Sequence, residues 1–191
     1  MILAATMPAN AFVKEHVLSG QSTVCTAPEY AALKAEIAEK LTITPDSLRL
    51  IGSAKLGFSL NADHLLKLFG SHSDLDFVVV NSNLFDAASL EMVERSEEIS
   101  LEGEDQRKRM KRTKENIFQG FFRADQLPLS ASLSKDWFPR LAGPFEHELA
   151  RRHTVKAWLF KSAEHAQILY ANHHAKQQPG VIQLLKSRGD L

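Results

Sequence analysis

The six residues Leu75–Val80, LDFVVV, constrain the fold more than any other stretch. They are apolar and β-branched apart from one carboxylate, and they end on Asn81-Ser82-Asn83, a cluster that closes strands. A nearly unbroken apolar run of this length belongs at the centre of a sheet, covered on both faces. Two further runs read as strands. Ser47 to Ile51 is short, interrupted only by Arg49 and stopped by Gly52, and Thr154 to Phe160 reads TVKAWLF.

Helical signals separate these strands. Thr26 and Glu29 have capping-box spacing, and Tyr30, Leu33, Ile37 and Leu41 follow at helical intervals, which predicts a helix over 27–41. A shorter helix is expected at 9–18, and further helices at 84–99 and 104–118. The last has its acids early and its bases late, with Glu104–Lys108 and Asp105–Arg109 as i,i+4 pairs. Residues 54–73 read as a long loop with a helical turn at 62–68, and residues 125–152 as irregular or partly helical. Ser162 caps a helix to about Ala175, and Pro179-Gly180 is expected to break the chain. The result is an α/β (α+β) fold, a small mixed sheet flanked by helices.

A chain of 191 residues, 44% hydrophobic, suits one compact domain and buries about 70% of its unfolded surface. Cys25 is the only cysteine, which excludes an internal disulfide and suggests no oxidising compartment. The opening residues are too short an apolar run for a bilayer and lack the basic start of a secretory signal. A cytoplasmic protein without a membrane partner is therefore expected. Lys plus Arg and Asp plus Glu balance at 23 each, so overall charge names no partner. Locally, residues 91–105 hold seven acids and one base, and residues 107–114 hold six bases and no acid. The basic segment could contact phosphate of a nucleotide or nucleic acid, or it could be a solvated helix face.

Side chains two apart on a strand share a face, so Asp74 and Asp76 point the same way. Carboxylates this close repel, and a divalent cation relieves the repulsion. Mg²⁺ takes a few carboxylates together with phosphate oxygens. Glycine lets a backbone approach a phosphate, so Gly52-Ser53 after the first strand complements the acids. Lys55 could add a point charge. Each piece alone is also an ordinary turn or loop; their order and pairing favour a site. The candidate catalytic and metal-ligating residues are Asp74 and Asp76. The candidate nucleotide-binding residues are Gly52, Ser53, Lys55 and Ser73.

The stretch IGSAKLGFSL … SDLDFVVV resembles the Gly-Ser … Asp-x-Asp signature of the DNA-polymerase-beta-like nucleotidyltransferase superfamily. The resemblance is specific over residues 47–81 and topological elsewhere. It implies one nucleotidyltransferase-like domain over 1–191, with a helical segment at 1–45, a core at about 46–175 and a tail at 176–191. It implies a nucleoside triphosphate, ATP among the candidates, held at Gly52 and Ser53, and Mg²⁺ or Mn²⁺ at Asp74 and Asp76. The reaction would move a nucleoside monophosphate to a hydroxyl of a nucleotide, RNA or protein acceptor. There are two departures. First, 20 residues separate Ser53 from Asp74, a spacing similar to that of bacterial, often defence-associated, members. Second, the strand expected to carry a third carboxylate offers Lys156. The nearest acids are Glu146, Glu148 and Glu164. A lysine there could pair with the aspartates in place of a metal, which makes a non-catalytic binding or regulatory module, such as a toxin–antitoxin or antiphage partner, the alternative.

Other residues read as structural. Phe118, Phe121 and Phe122 could stack on bases or pack in the core, Trp137 and Trp158 read as core, and His165, His173 and His174 lack zinc-site spacing.

Overall fold

The computed structural model describes residues 1–191 except the side chain of Ser100. In chain order the elements are α1 (Ile2–Thr6), α2 (Ala9–Phe12), α3 (Ala27–Leu41), β1 (Leu48–Ile51), α4 (Gly52–Leu56), β2 (Leu75–Val80), α5 (Ser82–Glu94), α6 (Ser96–Leu101), α7 (Glu104–Phe118), β3 (Phe121–Arg123), α8 (Ser132–Ala142), α9 (Glu148–Arg152), β4 (Val155–Phe160) and α10 (Ala163–Arg188). A π-helical turn, Val13–Val17, continues α2. The sheet order is β1-β2-β4-β3. The central pair β2–β4 is parallel and both outer pairs are antiparallel, so this is the expected mixed sheet flanked by helices.

Strand parity sorts the sheet into two faces. Leu48, Leu50, Leu75, Phe77, Val79, Phe122, Val155, Ala157 and Leu159 are buried in one cluster with Leu33 and Ile37 of α3, Phe85 of α5 and Trp137 of α8. Ile51, Val78, Phe121 and Phe160 belong to a second cluster with Phe12, Val13 and Val17 near the N-terminus and Ala166, Val181 and Leu185 of α10. By the same alternation Asp76, Lys156 and Trp158 belong to this second face.

α3, β2 and α7 occupy the expected residues because each has strong local signals. The Glu29 carboxylate accepts from both the Thr26 N–H (2.7 Å) and its hydroxyl (2.8 Å), which fixes the start of α3. Elsewhere tertiary contacts change the outcome. The helix expected over 84–99 breaks at Arg95, whose guanidinium bonds Glu91, Glu98 and the distant Ser130 carbonyl. Arg109 does not pair with Asp105; it donates to the Asp125 and Leu127 carbonyls at 3.1 and 2.9 Å. Glu104–Lys108 forms as expected, at 2.8 Å. Residues 52–56 are helical rather than loop. Strand β3, three residues long, was not foreseen.

The largest difference is α10, which runs through Pro179-Gly180 to Arg188 instead of stopping near Ala175. Proline removes one backbone donor, but three contacts hold this stretch in place. Val181 and Leu185 are buried. The Gln178 side-chain amide donates to the Ala4, Ala5 and Met7 carbonyls. A Cβ on Gly180 would come within 3.0 Å of Leu65, so the small residue permits the close approach. Residues 176–188 are thus part of a packed helix. Among the described residues no helix is long and apolar enough to cross a membrane.

Candidate functional site

The head of β2 opens into a cavity of about 340 Å³. Gly52, Ser53, Ser73, Asp74 and Asp76 all line it, so the structure brings five of the six sequence candidates together. β1 and β2 are antiparallel neighbours with Ile51 paired to Asp76, which sets the end of one strand beside the head of the other. Gly52 has φ +66°, a left-handed conformation that glycine adopts without strain. A Cβ there would lie 3.4 Å from Asp76 Oδ2, so the backbone of Gly52 packs against that carboxylate. Ser73 is held by its own turn: its hydroxyl accepts from the Gly70 N–H at 3.1 Å, and its carbonyl bonds the His153 ring at 2.7 Å.

Lys55 is the sixth candidate, and the structure places it elsewhere. It is 3% exposed, and its ammonium donates to the Gly20 and Gln21 carbonyls at 2.5 and 2.7 Å. It lines a different cavity, with residues of the 15–23 segment. Burial pulls its pKa down to about 8. It acts as a strap between α4 and the loop before α3.

The two aspartates differ. Asp74 is about one-third exposed and forms an ion pair with Lys156 of β4. Asp76, whose Cα partner across β2–β4 is Lys156, is more deeply set. Burial pushes its pKa up to about 6; the Lys156 charge opposes this and the Asp74 charge adds to it. Arg123 also favours its ionised form, and Asp125 opposes it. Asp125 is thus the third acid that bears on the site. It is committed to Arg123 at 2.8 Å, and the Arg123 guanidinium lies 4.5 Å over the Trp158 ring. The nearest acids in the sequence are engaged elsewhere: Glu148 bridges to Arg152, and the Ser162 hydroxyl holds Glu164 below the usual carboxylate range.

As they stand, these residues offer a cation two carboxylates, one of them paired with Lys156. Lys156 already neutralises Asp74, and among the described residues no three His, Cys, Asp or Glu side chains cluster in a way that could hold a metal ion.

The other walls of the cavity come from positions without a motif. Val13, Val17, Ile51 and Leu56 are apolar lining, and Trp158, Tyr170 and His174 form an aromatic part. His64, Lys67, His72 and His173 add polar and cationic groups. Two patterns could have pointed to them. Tyr170, His173 and His174 stand at i, i+3 and i+4, one side of a helix, and Trp158 follows Lys156 by two on a strand. The basic run stays apart: Arg107, Lys108, Lys111, Arg112 and Lys114 are exposed, and none lines this cavity. Phe118 is exposed, whereas Phe121 and Phe122 are buried, as is Trp137. The chain matches no protein-family profile, no curated protein and no solved structure, so what its site can do rests on its own geometry.

Proposed function

We propose that the protein is a nucleotide-binding module of nucleotidyltransferase type that lacks the transfer step, with Lys156 standing where a third carboxylate would be needed. The observation that carries this reading is the Lys156–Asp74 ion pair beside the buried Asp76. A bare acid pair would repel a triphosphate. The lysine neutralises one of the two charges without a bound metal and offers an ammonium to phosphate oxygens. Gly52 and Ser53 at the same cavity, with Lys67 and His173 on its walls, support phosphate binding. Such a module would act in the cytoplasm as a regulatory partner, of a toxin–antitoxin or antiphage system for example.

The test is calorimetry with nucleoside triphosphates, with and without Mg²⁺, beside incubation with labelled triphosphate and cell RNA. Binding that needs no Mg²⁺ and no label transfer is the expected result. Label transfer to RNA or to the protein overturns the non-catalytic reading, and absence of triphosphate binding overturns both it and the site.

One observation favours an active transferase instead. Asp74 and Asp76 stand together at the head of the cavity beside Gly52, an acid pair that can hold a cation together with a triphosphate. In that case Mg²⁺ or Mn²⁺ would enter with the triphosphate as part of the substrate. The doubly substituted Asp74→Ala, Asp76→Ala protein should then fold and transfer nothing; transfer that survives it removes this second reading.

A further inference from the structure

Among the described residues, the buried side-chain atoms without a close hydrogen-bond partner are Ser130 Oγ, Trp158 Nε1, Tyr170 Oη and the ring nitrogens of His174, one of which faces the Ala4 backbone. All but the serine belong to side chains that line the cavity above Asp76. Buried polar groups are almost always paired, so three such residues around one cavity need an explanation. They come from two elements, β4 for Trp158 and α10 for Tyr170 and His174, brought together only by the packing of that helix on the sheet. His174 is 1% exposed and stacks on Phe12 with ring centroids 4.6 Å apart. Trp158 and Tyr170 are 6.2 Å apart and tilted by 42°.

The chemistry of the three is narrow. An indole N–H only donates, a phenol donates and accepts, and a neutral imidazole donates from one nitrogen and accepts at the other. Burial keeps the Tyr170 phenol protonated and pulls the His174 pKa down, toward a neutral ring, against a backbone contact with Ala4 that favours its charged form. Uncharged donors and acceptors between aromatic and aliphatic walls suit a flat, neutral, nitrogen-containing ring. They suit a phosphate poorly, because nothing among the three compensates its charge.

We propose that this aromatic part of the cavity is a nucleobase subsite, in which Trp158, Tyr170 and His174 hydrogen-bond the base while the phosphates stay by Gly52, Ser53 and Lys156. This rests on the nucleotide reading above and adds to it the part of the ligand that these three residues distinguish. Discrimination of this kind is strong because the wrong ligand leaves the same buried groups unpaired.

The two halves of the cavity separate by titrating the full-length protein with four probes: ATP, GTP, adenosine and inorganic tripolyphosphate. The triphosphate of the accepted base should bind at least about tenfold tighter than tripolyphosphate, and the part of the tryptophan fluorescence that Trp158→Phe removes should change with nucleotide only. Trp158→Phe and Tyr170→Phe each delete one hydrogen-bonding group and keep a ring. Each should weaken nucleotide about three- to tenfold and leave tripolyphosphate unchanged. Thermal unfolding of both variants checks that either one is folded; Tyr170→Phe, which keeps the ring unaltered, suffices if Trp158→Phe is not. Nucleotide no tighter than tripolyphosphate, or variants that weaken both alike, overturns the subsite and spares the phosphate reading. Adenosine that binds where tripolyphosphate does not supports the subsite and removes the phosphate half. No binding of any probe overturns both.

Discussion

The two faces of the sheet obey different rules. The face toward α3, α5 and α8 is built from Leu48, Leu50, Leu75, Phe77, Val79, Val155, Ala157 and Leu159, all buried and all apolar. The face toward α10 has Val78 and Phe160 at its centre, but in the same strands it carries Asp76, Lys156 and Trp158. Of the four described residues with poorly paired buried polar atoms, three line the cavity on this side. One face lowers the free energy of the fold. The other gives some of that up to hold an ion pair and buried polar groups.

The comparison breaks most clearly on a core truncation. Phe77→Ala, at a residue that is fully buried, should cost about 3–5 kcal/mol of unfolding free energy, because it leaves a cavity in a close-packed layer. Trp158→Phe on the opposite face should cost at most about 1.5 kcal/mol, as a swap between aromatic rings. Urea denaturation of both measures the difference; equal losses would mean that the faces are not specialised.

The two lysines sharpen it next. Lys55→Met leaves the Gly20 and Gln21 carbonyls without their charged donor and should cost about 2–3 kcal/mol, with no change in nucleotide affinity. A large affinity loss in the folded variant would return Lys55 to the site.

Asp76 supplies a pH signature. Its carboxyl ordinarily titrates near 3.8, whereas in the folded protein it holds its proton to about pH 6. Between those values the folded state binds the extra proton, so this group's contribution to stability is present below pH 3.8 and is lost as pH rises through 6. His174 acts in the opposite sense: its lowered pKa makes stability fall as the pH drops. Subtracting the stability curve of Asp76→Asn from that of the wild type isolates the aspartate. The variant should be more stable at pH 7 by about 1–3 kcal/mol, with the gain vanishing below pH 4. A pH-independent difference would count against a buried, strained carboxylate.

The smallest expected change in stability belongs to Lys156→Gln. Both partners of its ion pair are about one-third exposed, so solvent screening keeps the loss under about 1 kcal/mol. Triphosphate affinity should fall about tenfold, the loss of one charge-assisted contact. Unaltered affinity with intact folding would remove Lys156 from the site.

Local periodicity made much of the fold readable. Leu75–Val80 and 104–118 were bounded to the residue because their patterns repeat over one full element. The acid pair, the Gly-Ser turn and Lys156 were visible for the same reason, since strand parity makes residues two apart neighbours. Strand β3 was not visible because three residues hold no period, and its pairing with β4 defines it. Lys55 was misplaced because its spacing from Gly52 says nothing of the Gly20 and Gln21 carbonyls that capture it. Trp158 reads as core, His174 as structural, and Tyr170 carries no motif, because their common cavity depends on where α10 lies.

The sequence by itself determined three of the four strands, which side chains share their faces, and that a lysine rather than an acid stands on the strand beside the aspartates. Those are consequences of a two-residue repeat and need no partner. Only the tertiary structure decided that α10 passes through Pro179-Gly180, buries Val181 and Leu185, and lays Tyr170 and His174 over the sheet. The proline works against the helix locally; long-range burial and the Gln178 bonds to Ala4, Ala5 and Met7 outweigh it.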